Sequence, residues 1–342
     1  MPTTTAPPSQ RAPGKALIAG CAGFIGSWLT DKFLEAGWSV TGIDSLFSGS
    51  RRNLKAAAGP QPFTFLEGDI LDRLDVESDL IVNLACPAAP PRYQSDPLYT
   101  FKTSVLGTMN LVALAGRTGA RLVHTSTSEV YGDPEVHPQR EDYNGSVNPI
   151  GPRACYDEGK RAAETFLFDS HRHSGLDVGV ARIFNTYGPR MDPYDGRVVS
   201  NFLRQALLGE PLTIYGEGQQ TRSFCYVSDT VEALWRLSVN EPAHLGPINI
   251  GNPAEITILE LAETVKELVG DVTLIFEPLP ADDPRRRKPD ITRAAEQLDW
   301  APKVPLREGL SHTLTYLDDL LSSGEFSAIR SPHAAKQVAS AR

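Results

Sequence analysis

The chain has 342 residues, of which 41% are hydrophobic and 22% charged. That composition suits a globular protein with a full hydrophobic core and excludes a fibrous or wholly disordered one. The formal charge is −9, from 33 basic and 42 acidic residues, and without a long basic run it argues against nucleic acid as a partner.

The first 14 residues are rich in Thr, Pro and Ala. They lack the apolar segment of a signal peptide and the length of a membrane span, so we expect a disordered tail and no membrane contact. Residues 323–342, rich in Ala and Ser, predict a second flexible tail. The four cysteines have neither metal-binding nor disulfide spacing, which predicts no metal site and favours the reducing cytoplasm.

Short apolar runs alternate with amphipathic stretches from residue 15 onward. The apolar runs predict strands at residues 16–19, 40–43, 63–66, 80–84, 121–124 and 178–183. The stretches between them predict helices over residues 24–36, 97–116 and 156–170. Strands that alternate with helices indicate an α/β fold with a doubly wound parallel sheet of the Rossmann type.

Parallel sheets bind ligands at the carboxyl ends of their strands. Five segments follow predicted strands in this way: residues 20–26, 44, 85–87, 125–129 and 185–190. We therefore expect the chemistry of the protein to come from these segments.

A glycine pattern follows the first predicted strand and opens the first helix: Gly20-Cys21-Ala22-Gly23-Phe24-Ile25-Gly26. Gly20, Gly23 and Gly26 permit a tight turn, close approach of a pyrophosphate and close packing of helix on strand. Together with Phe24 and Ile25 they form the predicted dinucleotide site.

Acidic residues follow the second and third strands. Asp44 can accept hydrogen bonds from the adenosine ribose and repel a 2′-phosphate, which favours NAD over NADP. Arg51 and Arg52 keep NADP open, because a nearby arginine can accommodate that phosphate. Asp69 could either hydrogen-bond adenine or cap a helix.

A smaller C-terminal α/β lobe is expected to bind the substrate. After residue 188, short strands at 212–215 and 273–276 mix with helices at 198–208 and 258–269, and residues 247–251 predict a strand returning to the main sheet. The predicted division assigns residues 15–184 and about 226–252 to the NAD-binding domain. Residues 185–225 and 253–322 form the predicted lobe.

Tyr156 and Lys160 lie four residues apart at the start of a predicted helix, so both can face one ligand. A tyrosine is a poor base at neutral pH because its ordinary pKa is about 10. We expect the ammonium of Lys160 to lower that pKa, so that Tyr156 can accept a proton from a sugar hydroxyl while a hydride passes to a nicotinamide.

Longer segments give the chain a more specific resemblance. They are residues 84–91, 126–134, 148–161, 182–190 with 195–202, and 282–290. In these segments the chain, from about residue 16 to 321, resembles the extended short-chain dehydrogenase/reductases, and within that group the UDP-glucuronate decarboxylases.

The resemblance implies NAD-dependent conversion of UDP-glucuronate to UDP-xylose. Tyr156 would take the C4 hydroxyl proton during oxidation, and the 4-ketone would let the carboxylate leave as carbon dioxide before the hydride returns. Thr127 would donate a hydrogen bond to the enolate oxyanion. In related dehydratases a glutamate at the position of Glu129 removes the C5 proton, whereas here it could position the sugar or a proton-donating water.

The same resemblance implies further contacts. Lys160 would bind the nicotinamide ribose, and Arg287 would approach the sugar carboxylate with its planar fork of donors. Asn185, Arg197 and Arg222 resemble nucleotide-sugar contacts, with surface ion pairing as the alternative for the arginines. Arg190 lies in a shared segment without an assigned contact.

Three other functions stay open. A 4-epimerase needs no arginine for a carboxylate, and a 4,6-dehydratase of this type has an acid where this chain has Ser128. A non-catalytic dinucleotide sensor commonly loses the pair that Tyr156 and Lys160 form here. Helices near residues 97–116 and 156–170 could form a four-helix interface, so we expect a homodimer.

Overall fold

In the computed structural model, the described residues are 9–54, 61–241, 243–270, 272–278 and 286–324. The strands, numbered in chain order, are β1 (Ser9–Gln10), β2 (Lys15–Ala19), β3 (Ser39–Asp44), β4 (Phe63–Glu67), β5 (Leu80–Asn83), β6 (Arg121–Thr127), β7 (Val178–Ile183), β8 (Thr186–Tyr187), β9 (Leu212–Tyr215), β10 (Thr221–Ser223), β11 (Cys225–Tyr226), β12 (Asn240–Glu241), β13 (Ile248–Ile250), β14 (Glu255–Thr257), β15 (Leu274–Glu277) and β16 (Arg286–Arg287). The α-helices are α1 (Phe24–Glu35), α2 (Pro90–Ser95), α3 (Pro97–Lys102), α4 (Thr108–Thr118), α5 (Ala154–Ser174), α6 (Val198–Leu207), α7 (Val227–Val239), α8 (Ile258–Val269), α9 (Thr292–Leu298) and α10 (Leu306–Ser322).

A parallel sheet of seven strands forms the centre of the fold. Its order is β13-β7-β6-β5-β2-β3-β4, and every neighbouring pair is parallel. The order runs outward from β2 in both directions, which is the doubly wound arrangement that the sequence predicts. The predicted Rossmann fold is confirmed, and β13 is the strand expected to return to the main sheet.

Helices cover both faces of this sheet, because successive side chains of a strand point to opposite sides. Ile18 and Val82 belong to a core shared with residues of α1 and α7. Leu17 and Ile81, their neighbours in the chain, belong to a second core shared with residues of α4 and α5. Burial on both faces explains why the central strands are continuous apolar runs rather than alternating ones.

Three smaller sheets come almost entirely from the residues of the predicted C-terminal lobe. Strand β9 pairs with β15, β8 pairs with β11, and β10 lies between β14 and β16. In the last of these sheets Arg222 and Arg287 are direct neighbours on adjacent strands. The exact boundaries of the two predicted domains stay a prediction.

Two expectations differ from the structure. The predicted disordered tail of residues 1–14 is wrong for residues 9–14, because β1 pairs with β12 and Arg11 forms ion pairs with Asp177 (2.6 Å) and Glu241 (2.7 Å). Residues 1–8 and 325–342 lie outside the described residues. The predicted helix over 97–116 is broken into α3 and α4 by a π-helical turn at Thr103–Gly107.

None of the helices in the described ranges combines the length and apolar character needed to cross a bilayer.

Gly26 allows α1 to lie against the turn after β2. A Cβ atom there would be 2.0 Å from the Gly20 carbonyl oxygen and 2.8 Å from its carbon, and backbone atoms cannot move aside as a flexible side chain can. We expect Gly26→Ala to lower the free energy of unfolding by about 1–3 kcal/mol through overpacking.

Urea unfolding measures this effect, and Gly116→Ala is the matched control. A Cβ at Gly116 meets nothing within 4 Å on α4, so alanine should be neutral or stabilising there. Equal stability of Gly26→Ala and the parent would contradict the close approach.

Candidate active site

A large cavity opens at the carboxyl edge of the sheet, between the sheet and the smaller strands. Its volume is about 1470 Å³, above the roughly 300–1,000 Å³ of most small-molecule pockets, so it has room for two ligands side by side. All of the predicted site residues line it: Gly20, Gly23, Phe24, Ile25, Gly26, Asp44, Asp69, Thr127, Glu129, Tyr156, Lys160, Asn185, Arg197, Arg222 and Arg287. The structure brings these residues together, and their individual roles stay predictions.

The glycine loop fits a dinucleotide phosphate. Gly20 has φ +84°, and a Cβ there would lie within 2.9 Å of the backbone of residues 84 and 85. Gly23 is the N-cap of α1 and gives the helix no side-chain cap. The first amides of a helix have no partner within the helix, so those of α1 can be offered to an anion.

Asp44 and Asp69 lie along the same side of the cavity. The Asp44 carboxylate accepts hydrogen bonds from the amides of Ala22 (2.9 Å) and Leu46 (2.8 Å), while its burial raises its pKa. Its oxygens have lone pairs left for ligand hydroxyls. Asp69 accepts from the Tyr99 hydroxyl at 2.6 Å and from the Leu71 amide at 2.9 Å, so it closes a turn as well as facing the cavity.

Tyr156 and Lys160 lie on the buried face of α5, against the end of β6. Burial raises the pKa of Tyr156, the nearby Cys86 thiol adds to this, and a hydrogen bond with Thr127 opposes it. The predicted lowering of that pKa by Lys160 is therefore wrong for this structure. The ammonium of Lys160 instead donates to the Thr125 carbonyl at 2.8 Å, and removal of the phenol from water dominates.

Glu129 is held between two arginines. Its Oε2 accepts from Arg153 Nη2 at 2.5 Å, and its Oε1 accepts from Arg287 Nη1. Burial alone would raise the pKa of Glu129, but the two guanidinium groups outweigh it and lower that pKa. Glu129 is consequently an ionised carboxylate at neutral pH.

Arg287 is 3% exposed and lines the cavity. Besides Glu129 it donates to the Gly132 carbonyl at 3.1 Å and approaches the Ser128 hydroxyl at 3.4 Å. A guanidinium buried to this extent and fixed by three groups is part of the site rather than a solvated charge.

Asp157 lies behind this ion cluster. Its Oδ2 is 4.0 Å from Arg153 Nε, and its Oδ1 is buried without a hydrogen-bond partner. Burial and the charge of Glu129 raise the pKa of Asp157 to about 7, against the opposing effect of Arg153 and Arg287. Asp157 is thus a carboxyl group that changes charge near neutral pH.

The predicted substrate contacts Arg197 and Arg222 line the same cavity. Arg197 is the N-cap residue of α6, and its guanidinium forms an ion pair with Asp195 at 2.7 Å. The Arg197 side chain is 31% exposed. Arg222 donates to the Thr221 carbonyl at 2.9 Å. Arg190, which has no predicted contact, pairs with Asp31 at 2.6 Å and lies over the Trp28 ring.

Sequence reasoning assigned no role to several residues of the site. The Tyr93 ring stacks on Tyr156 with 5.2 Å between centroids and 5° between planes, and its buried hydroxyl has no hydrogen-bond partner. Cys86 contacts the Ser104 hydroxyl at 3.1 Å and lines the cavity. Two sequence features could have indicated such residues. Cys86 follows the fourth strand, and Arg153 lies three residues before Tyr156 on a helix, so it can share a face with Tyr156.

A known family and several named relatives match the chain over most of its length. The NAD dependent epimerase/dehydratase family matches residues 16–251. The chain is 55% identical over 320 residues to UDP-glucuronic acid decarboxylase 6 of Arabidopsis thaliana, covering 90% of this chain and 93% of that relative. It is 53% identical over 309 residues to UDP-glucuronic acid decarboxylase 1 of Danio rerio, covering 90% and 73% respectively.

Solved structures share the fold over most of the chain. UDP-glucose 4-epimerase from Thermotoga maritima, with UDP-glucose, has a TM-score of 0.79 at 32% identity and covers 90% of this chain and 99% of that one. UDP-glucuronic acid 4-epimerase from Bacillus cereus, in complex with UDP-glucuronic acid and NAD, has a TM-score of 0.80 at 27% identity, with the same coverage.

The raised pKa of Asp157 makes a prediction about stability. Because its pKa of about 7 exceeds the ordinary value of about 3.9, the folded state binds more protons than the unfolded state between those two values. The stability from this group is complete below the lower value and is lost as the pH rises through the higher one. Asp157→Asn should therefore gain stability relative to the parent as the pH rises from 5 to 8.

Urea unfolding at several pH values measures this difference, with Asp142→Asn as control. Asp142 is ion-paired with Arg140, which lowers its pKa, so it is ionised throughout that range and its difference from the parent should be flat. A flat difference for Asp157→Asn as well would contradict the raised pKa.

Proposed function

The chain belongs to the NAD dependent epimerase/dehydratase family, and we propose that it is an NAD-dependent UDP-glucuronate decarboxylase that forms UDP-xylose. The relatives named UDP-glucuronic acid decarboxylase are 51–56% identical to it. The observation that carries the proposal is the placement of Tyr156 and Arg287 on one cavity. A phenol suits the C4 hydroxyl of a sugar, and a guanidinium suits the carboxylate two carbons away.

At the C4 position, Tyr156 accepts the hydroxyl proton and returns it at the end of the cycle. NAD, held by the glycine loop, Asp44 and Asp69, would supply the acceptor and donor of the C4 hydride, and its positive charge would favour an ionised phenol. Lys160, held on the Thr125 carbonyl, would bind the nicotinamide ribose from the same helix face. The charge of the bound cofactor would act against the burial that keeps Tyr156 protonated.

At the neighbouring carbons, the carboxylate leaves as carbon dioxide from a 4-keto sugar. The electron pair of the C5–C6 bond passes into an enolate whose oxyanion is at C4. The Thr127 and Tyr156 hydroxyls donate hydrogen bonds to that oxyanion. A water molecule then protonates C5, which regenerates the 4-ketone. Return of the hydride to C4 and of the Tyr156 proton to the C4 oxygen would give UDP-xylose.

Glu129 positions groups rather than donating a proton. Its lowered pKa keeps it ionised, so it has no proton to give at neutral pH. Between Arg153 and Arg287 it fixes the guanidinium of Arg287 beside the place where the sugar carboxylate is expected. In this proposal Glu129 orients Arg287, a role that differs from the expected positioning of the sugar or of a proton-donating water.

The diphosphate end of the substrate lies toward the lobe in this proposal. Asn185 hydrogen-bonds the diphosphate or the sugar, and Arg197 and Arg222 neutralise its charge. All three line the same cavity as Tyr156. The lobe comprises residues 185–225 and 253–322, and the glycine loop with Asp44 and Asp69 holds the adenosine end of NAD.

We also propose a homodimer in the cytoplasm. Leu98, Phe101, Leu106 and Met109 are exposed apolar side chains on α3, α4 and the turn between them, which supports an interface through these helices and α5. The four cysteines are free thiols, which supports a reducing compartment.

One incubation tests the reaction. The purified protein is mixed with NAD and UDP-glucuronate, and the nucleotide product is analysed by mass spectrometry. We expect the mass to fall by one carbon dioxide. A loss of one water would support a dehydratase, an unchanged mass with a changed sugar an epimerase, and an unchanged sugar the dinucleotide sensor.

Tyr156→Phe removes only the phenolic hydroxyl from the site. We expect the rate of carbon dioxide release to fall by at least about 100-fold, the usual scale of acid–base catalysis, with NAD still bound. Tyr143→Phe is the control, because Tyr143 stacks on Tyr131 rather than on Tyr156. A Tyr156→Phe variant as fast as the parent would remove Tyr156 from the mechanism.

Arg287→Lys keeps a positive charge but loses the planar fork that holds a carboxylate. We expect carbon dioxide release to slow by at least about tenfold, because removing a bidentate contact costs 1.4 kcal/mol or more. Arg140→Lys, a change at an exposed ion pair, should leave the rate unaltered. If both variants match the parent, Arg287 has no part in binding the sugar acid.

A further inference from the structure

Arg153 forms an ion pair with Glu129, and the proposed reaction gives Arg153 no chemical step of its own. It is the N-cap of α5, and its carbonyl oxygen accepts hydrogen bonds from the amides of Tyr156 (3.0 Å) and Asp157 (3.1 Å). Its guanidinium reaches across to Glu129 at 2.5 Å. The residue therefore joins the first turn of α5 to the segment that follows β6.

The two arginines contact different oxygens of the same carboxylate. Arg287 contacts Oε1 of Glu129, and Arg153 contacts Oε2. A single guanidinium with a single carboxylate would be a neutral pair, with no net attraction for a further anion. Two guanidinium groups around Glu129 leave one positive charge uncompensated by that carboxylate.

We infer that Arg153 is a specificity-determining positioning residue, which shares Glu129 with Arg287 and so leaves Arg287 able to attract a sugar that carries a carboxylate in preference to a neutral sugar. The inference rests on the proposed function, because it concerns how the same site recognises the acid group of its substrate.

Asp157 supports this assignment. It is the other carboxyl group close to Arg153, with 4.0 Å between its Oδ2 and Arg153 Nε. Its pKa of about 7 lets it take up a proton when another negative charge arrives. The cluster can then admit the substrate carboxylate without an excess of negative charge in a buried site.

Binding to an acidic and a neutral nucleotide sugar tests the inference. The affinities of UDP-glucuronate and UDP-glucose are measured by calorimetry on the NAD-loaded protein, in the Tyr156→Phe background so that the acid sugar is not consumed. Arg153→Met removes the charge and keeps most of the side-chain length. We expect it to lower the affinity for UDP-glucuronate by about tenfold or more, since truncating one partner of a buried charge pair lowers affinity at least that much.

The neutral sugar separates recognition from general damage. Arg153 lines the cavity, but UDP-glucose has no carboxylate for the cluster to attract, so we expect its affinity to change by no more than about twofold in Arg153→Met. Arg153→Lys, which keeps the charge, should recover much of the preference for the acid. In protein with Tyr156 intact, Arg153→Met should raise KM for UDP-glucuronate more than it lowers kcat.

A double variant tests the action through Glu129. With Glu129→Gln in place, Arg287 is no longer neutralised, so adding Arg153→Met should cost less acid-sugar affinity than it does alone. Fully additive losses would contradict the inference, as would an equal loss for both sugars. Because Arg153→Met could affect folding, thermal unfolding and NAD content are compared first, and Arg153→Lys alone must keep the acid preference if the inference holds.

The outcome for the parent protein separates the two proposals. A parent that neither prefers UDP-glucuronate nor releases carbon dioxide contradicts the proposed function, and the assignment of Arg153 is lost with it. A parent that does both, while Arg153→Met retains the full preference, contradicts the assignment of Arg153 alone.

Discussion

The hydrogen bond from the Lys160 ammonium to the Thr125 carbonyl joins α5 to the carboxyl-terminal half of β6, the third strand from the β13 edge of the main sheet. A buried cation is costly unless its donors are satisfied, so this contact restricts how α5 can turn or slide. Tyr156 is one turn before Lys160, and Arg153 is one turn before Tyr156. Fixing the helix at Lys160 therefore aims the phenol and the guanidinium at the segment after β6, which carries Thr127 and Glu129.

Burial gives these groups their chemical character. The same exclusion of water that raises the pKa of Tyr156 also raises that of Asp157, while two guanidinium groups overcome it at Glu129. The site thus combines a protonated phenol, a carboxylate that is ionised at neutral pH and a carboxyl group that titrates near neutrality. Charges brought by ligands act strongly in such a place because little solvent screens them.

The sequence alone predicted the parallel sheet and the residues that line the cavity. Apolar runs such as Leu80–Asn83 are buried on both faces, and the rule that ligands bind at the carboxyl ends of parallel strands predicted that Asp44, Thr127 and Asn185 lie at one site. The sequence did not predict which residues distant in the chain contact one another. The ion pair of Arg153 with Glu129, the stacking of Tyr93 on Tyr156 and the strand β1 depend on three-dimensional packing, and the pKa of Tyr156 depends on burial that no local pattern reports.

The structure of the Tyr156→Phe variant with NAD and UDP-glucuronate bound is the most direct measurement of this arrangement. The account predicts that the C4 hydroxyl of the sugar lies beside the ring of residue 156 and that its carboxylate lies against Arg287, next to Glu129. A sugar bound with C4 turned away from α5, or with its carboxylate directed away from Arg287, would contradict the account.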